Sequence, residues 1–159
     1  MLLVPMRLPA LLAAKLLGGM VFGLIMAAVT LAISAVAFGV DTVRWGLLIP
    51  VMILSAAAFS ALGVLVSVAV KEVFEAQTLA NALRFPMIFL GGAFVPVSSL
   101  PPGLKVVARL LPLTYGVEGL GVALGRGTPA RAMLDMAVLT AFTAVLFVIS
   151  TRILARRTA

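Results

Sequence analysis

Two stretches of this chain, Leu16–Val40 and Trp45–Val70, contain no charged residue. At about 1.5 Å per residue, a helix over either one exceeds the ~30 Å hydrocarbon core of a bilayer and can cross it with tilt. Of the 159 residues 64% are hydrophobic and only 11% charged, where soluble domains carry about 25% charged residues. A water-soluble core of this size could not hide so much apolar surface. The bilayer is therefore the expected solvent. The fold class that follows is all-α, a polytopic helical membrane protein.

The breaks between spans are polar. Asp41-Thr42-Val43-Arg44 separates the first two, and Trp45 stands where an indole meets the headgroups. Pro50 falls in the first turns of the second span, where a lost N–H bond costs least. Lys71-Glu72-Val73-Phe74-Glu75 closes that span. Beyond it Ala76, Leu79, Ala80 and Leu83 form one helical face and Gln77, Asn81 and Arg84 the other. Phe85–Val97 is too short to span by itself. A third span over 78–97 would carry Asn81 and Arg84 into or near the membrane. The alternative is a broken, partly re-entrant segment, which needs protein packed around it because lipid tolerates no exposed irregular backbone. Pro96, Pro101, Pro102 and Pro112 then deny backbone donors, so no helix is expected to run through 96–103. Two short amphipathic or re-entrant helices, 103–111 and 116–125, are expected at the outer face. Thr128-Pro129 is a helix start, and a last span over 130–151 ends at Arg152, Arg156 and Arg157. The whole, 1–159, reads as one membrane domain with four membrane segments: 16–40, 45–70, 78–97 and 130–151. Pro5–Lys15 reads as a short interfacial lead-in. The apolar run after it is too long for the ~7–15-residue core of a signal peptide.

The net charge of +7 divides unevenly across such a topology. Arg7, Lys15, Lys71, Arg84, Arg152, Arg156 and Arg157 share one side; Arg44, Lys105, Arg109, Arg126 and Arg131 share the other. The positive-inside rule then places both termini in the cytoplasm and 100–131 outside the plasma membrane. Cysteine and histidine are absent, which removes disulfides and thiolate or imidazole metal sites; no cofactor is expected. No basic run is interleaved with aromatics, so no nucleic-acid role is expected. No phosphate-cradling Gly-x-x-x-x-Gly-Lys-Ser/Thr occurs. The acids Asp41, Glu72, Glu75, Glu118 and Asp135 are scattered, which argues against an intramembrane enzyme.

Several residues admit two readings. Glu72 and Glu75 flank Phe74, as a solvated loop end or as an apolar knob with a charged rim for a cytoplasmic partner. Asp135, in the second turn of the last helix, either complements the helix N-terminus or contacts a substrate or ion. Arg84 either snorkels to the cytoplasmic face or meets another helix or subunit. Gly19-x-x-x-Gly23 and Gly121-x-x-x-Gly125 fit close helix packing. Tyr115 is an interfacial anchor or a ligand contact.

From Gln77 to Leu124 the order of residues resembles the signature region of the type-2 class of ABC (ATP-binding-cassette) transporter permeases. The match is carried by Asn81, Arg84, Phe85, Pro86, Phe89, Gly92, Phe94, Pro96, Leu100 and Pro101, and then by Pro112-Leu113-Thr114-Tyr115. The opening segment, LLVPMRLPALLAAKLLGG, is similar to the family's segment between its second and third spans. The resemblance implies a membrane-spanning permease subunit of an ATP-driven exporter, not itself an enzyme. It would work with a separate ATP-binding subunit, as a homodimer or paired with another permease subunit. Arg7, Leu8 and Pro9 would face that ATPase. Glu72, Phe74 and Glu75 are expected to complete the docking face, because a motor outside the membrane can reach only the cytoplasmic segments. The four spans would correspond to the family's third to sixth, the first two being absent, as in a fragment or a shortened subunit that needs a partner. A non-transporting membrane scaffold or assembly protein is the competing reading.

Overall fold

The computed structural model describes residues 8–38, 43–70 and 72–158, and every regular element among them is helical. The uncharged stretches form α1 (Leu8–Phe38) and α2 (Trp45–Ala69), and the last span forms α6 (Pro129–Thr158). These three are long and apolar enough to cross a bilayer. Helix α1 starts at Leu8, well before the expected 16. Pro9 sits in its first turn, where a missing N–H has no helical partner to lose, and Lys15 is a good helix former.

Between α2 and α6 lie α3 (Val73–Leu90), a 3-10 turn (Val97–Ser99), α4 (Pro102–Arg109) and α5 (Pro112–Ala123). Helix α3 begins earlier than the expected 78 and stops at Leu90, short of Val97. The cause is the glycine pair. Gly91 caps the helix, its N–H donating to the Met87 carbonyl at 2.7 Å. Gly92 then takes φ 87°, a left-handed conformation that suits glycine. Pro86 lies inside α3 and does not end it. No helix runs through 96–103, in line with the proline pattern. Helices α4 and α5 meet at 88°. Pro112 is the first residue of α5, so Pro-Leu-Thr-Tyr is the opening turn of a helix rather than a link before one starting at 116. Together α4 and α5 are apolar enough for one broken span or a re-entrant loop.

Helix α2 is the centre and packs against α1, α3, α5 and α6. Its partner α1 runs antiparallel. Leu12 is buried with Val64 and Val68, and Leu16, Phe147, Ile153 and Leu154 close around them. Further along, Gly19 leaves no room for a Cβ beside the Ser60 hydroxyl, and a Cβ at Gly23 would lie 3.6 Å from that of Ala56. The Ser60 hydroxyl donates to the Leu16 carbonyl at 2.7 Å. The Gly19/Gly23 pair thus lets two backbones approach within the chain. Gly121 and Gly125 do something else: they close the end of α5, where the Arg126 N–H returns to the Gly121 carbonyl at 2.8 Å. The tight α5 positions are Gly116 and Gly119, where a Cβ would lie 3.1 Å from Ser55 Oγ and 3.1 Å from a Val51 methyl respectively. Val21, Phe22, Ile25, Val36, Phe85 and Phe89 are exposed, as suits faces turned to lipid.

Candidate functional site

The start of α1, the end of α2 and the end of α6 converge in the cluster of Leu12, Val68 and Ile153. Helix α3 starts directly after α2, so Glu72, Phe74 and Glu75 belong to this same end. Pro9, Glu72 and Glu75 are exposed, and Phe74 is 81% exposed. Arg152 and Arg156 are exposed nearby in the chain fold. The structure therefore brings the described members of the expected docking set to one end of the bundle. Arg7 lies outside the described residues, and of Leu8 only the backbone is described.

The signature residues build the turn-back between α3 and α5. Asn81, half-buried, and Arg84, Phe85 and Pro86, exposed, are on α3; Gly92 and Pro96 are in the turn, and Pro101 caps α4. The Thr114 hydroxyl donates to the Ala108 carbonyl at 2.6 Å, and the Tyr115 hydroxyl to the Arg109 carbonyl at 2.7 Å. Carbonyls at the end of a helix lack intrahelical donors, so the first turn of α5 satisfies the last turn of α4 and fixes the corner. Tyr115 also lies against Phe142, with ring centroids 6.3 Å apart. The tyrosine is a corner clamp, a role that spacing alone did not suggest. Phe89 stacks on Phe94 at 5.9 Å across the Gly91–Gly92 turn.

The opposite end is polar. The Arg44 N–H donates to the Ala123 carbonyl at 2.9 Å, tying the start of α2 to the end of α5. Arg131 pairs with Glu118 at 2.8 Å, and its Nε also donates to the same oxygen at 3.2 Å. This pair borders a cleft of about 600 Å³ that also includes Gly92, Ser98 and Arg126.

Deeper lie groups whose burial the sequence did not disclose. Asp135, one turn beyond Arg131, is fully buried, and neither carboxyl oxygen has a hydrogen-bond partner. Gly119 makes room for it: a Cβ there would lie 3.7 Å from that of Asp135. Ser55, one turn along α2 from Val51, is likewise left with a buried, unpartnered hydroxyl. The only signal for either was the Gly116-x-x-Gly119 spacing, which matches Val51 and Ser55 one turn apart on α2. Arg84 and Ser55 border a common cleft of about 500 Å³ lined mainly by α1 and α2, with Arg84 from α3 and Leu120 from α5. Among the described residues no group of three His, Cys, Asp or Glu could hold a metal ion. What the interior offers among the described residues is one unpartnered carboxyl, Asp135, and one unpartnered hydroxyl, Ser55.

A family model described as ABC-2 type transporter matches residues 1–124. The chain is similar to Nodulation protein J of Rhizobium meliloti (strain 1021), with 31% identity over 110 residues covering 69% of this chain and 42% of the relative. Nodulation protein J of Rhizobium leguminosarum bv. viciae is 29% identical over 109 residues, with the same coverage, 69% and 42%. Inner membrane transport permease YadH of Escherichia coli (strain K12) is 26% identical over 119 residues, 75% of this chain and 46% of the relative. The chain spans somewhat under half the length of these curated relatives. No solved structure matches it.

Proposed function

This chain belongs to the ABC-2 type transporter family, and from that membership we propose that it is the membrane-spanning permease subunit of an ATP-driven exporter. The observation that carries the reading is the extent of the family match. Residues 1–124 take in the segment around Pro9, the Glu72–Glu75 loop and the whole Asn81–Tyr115 signature. The name of one relative, an inner membrane transport permease, supports transport and a place in the plasma membrane. ATP is hydrolysed by a separate ATP-binding subunit. That subunit docks on Arg7, Leu8, Pro9, Glu72, Phe74 and Glu75, with Phe74 as the anchor and the two carboxylates as its rim. Both termini are cytoplasmic, and the permease pairs with a second copy or with another permease subunit.

Force applied at that end reaches α1 and α3 first. Helix α1 is a continuous 31-residue rod, and α3 ends in the Gly91–Gly92 turn, where the backbone can pivot. Tilting α1 and α3 against α2 is the motion by which the motor opens one face and then the other. The test is affinity purification of the chain from membranes of its own host. An ATP-binding-cassette ATPase should come with it and show vanadate-sensitive turnover. Phe74→Ala should weaken that association by about 1–2 kcal/mol, the scale of a modest hot spot. If the wild-type chain brings down no ATP-binding protein, the exporter reading fails and the membrane-scaffold reading replaces it.

A further inference from the structure

Among the described residues three polar residues are buried: Thr114, Asp135 and Ser150. The Thr114 and Ser150 hydroxyls each donate to a carbonyl. Asp135 makes no hydrogen bond with either oxygen. It shares one face of α6 with Ala132 and Leu139, which are also fully buried. That face lies under Gly119 of α5, whose missing Cβ lets α5 come down on both Val51 and Asp135.

Two charged groups act on this carboxyl: Glu118, beside Gly119 on α5, and Arg131, one turn back on α6. Tyr115, the other ionisable group of α5, is committed to the Arg109 carbonyl. Helix α2 has no ionisable side chain, and the one charge of α1, Lys15, belongs to the other end of the bundle. Residues four apart on a helix are neighbours, so Arg131 is placed to meet Asp135. Instead it pairs with Glu118 at 2.8 Å. The pair borders the cleft of about 600 Å³, and Asp135 lies behind it. An ionised carboxyl there would meet no donor, and burying an unpaired charge is costly. The arrangement accommodates the carboxyl only in its neutral form.

We propose that Asp135 is a proton-binding site, and that α5 closes on α6 over the protonated carboxyl. On opening, the O–H bond breaks and the proton passes to water in the cleft. Arg131 turns from Glu118 to the new carboxylate, and Glu118 stays ionised and is met by water. Closing reverses each step. The contact is thus a two-position latch biased by a proton. A metal ion fits less well, since among the described residues no group of three His, Cys, Asp or Glu stands together. Closing is strongest at low pH and weakens as the pH rises, by at most about tenfold per pH unit for one linked proton. The latch needs neither ATP nor a motor, so its failure would leave the exporter reading standing, and the reverse also holds.

The test uses the full chain in phosphatidylcholine nanodiscs and dicyclohexylcarbodiimide, an apolar reagent that modifies protonated carboxyls. In the chain without substitutions, peptide mass mapping should place the adduct on Asp135 at low pH, and the yield should fall as the pH is raised. Glu118→Gln removes the like charge and frees Arg131, so that fall should move to lower pH. The second readout is opening itself. Ala132→Cys puts a thiol on the buried face beside Asp135. Its rate of maleimide labelling is divided by that of the same thiol in the Asp135→Asn background, which cancels the titration of the thiol. The ratio should rise with pH, by up to about tenfold per unit, and then level off. Adding Arg131→Gln to both should flatten the rise, because the open carboxylate loses its partner. No adduct on Asp135 at any pH, or a ratio that does not change with pH, would overturn the proposal. So would loss of the adduct in sodium chloride but not in choline chloride, which would identify a metal cation as the occupant.

Discussion

Thr114 and Tyr115 hold the α4–α5 corner through hydroxyls that reach carbonyls six residues back. The Thr114 bond is buried, and the Ala108 carbonyl keeps the Leu111 N–H at 3.1 Å, so Thr114→Val should cost about 1–2 kcal/mol, the lost buried hydrogen bond. The Tyr115 bond is exposed to solvent or headgroups, and Tyr115→Phe should cost less, about 0.5–1.5 kcal/mol. Unfolding of the detergent-solubilised chain measures both; an equal loss in the two variants would contradict the difference in burial. Asp135 gives the opposite expectation. A carboxyl buried without a hydrogen bond is a standing penalty, so Asp135→Leu should hold or raise the unfolding midpoint. A large fall would mean that the carboxyl has a partner in the working assembly. At this scale the sequence was only partly legible. The proline and tyrosine of the corner stand out as residue types, but their acceptors come within reach only when the chain bends by 88°. Asp135 looks like an ordinary acid in the second turn of a helix, and its burial depends on Gly119 facing it from another helix.

Among the elements, the spans were the easiest to find, because length and absence of charge define them directly. Helix ends were harder. Phe85–Val97 is apolar throughout, and nothing in its hydropathy marks Leu90 as the last helical residue. The decision lies in backbone freedom: Gly92 can adopt φ 87°, whereas Pro86 costs α3 one hydrogen bond and leaves it intact. The Gly19/Gly23 pair was legible as a packing motif, but its partner was not, since the pattern serves contacts within and between chains equally. The structure assigns it to α2. Gly19→Leu should therefore force α1 away from Ser60 and cost roughly 1–3 kcal/mol, as overpacking does. Gly18→Leu is the matched control, since a Cβ there meets nothing within 4 Å. If the two variants unfold at the same midpoint, the α1–α2 seam does not depend on close approach.

For the molecule as a whole, the family was legible in the spacing of prolines, glycines and aromatics from Asn81 to Tyr115, which lies within the family match over 1–124. The cleft that Ser55 and Arg84 border was not legible, because its walls come from several helices and the two residues lie far apart in the chain. The central claim is that the bundle has two ends on opposite sides of the membrane, with Glu72–Glu75 turned to a cytoplasmic motor and the turn before α4 turned outward. The chain contains no cysteine, so a single introduced thiol reports one position. Phe74 and Ser99 are both exposed, one at each of the two regions in question. The most direct measurement is maleimide labelling of Phe74→Cys and Ser99→Cys in whole cells with a membrane-impermeant reagent. Ser99→Cys should label in intact cells and Phe74→Cys only after permeabilisation. The reverse pattern, or labelling of both from the outside, would contradict it.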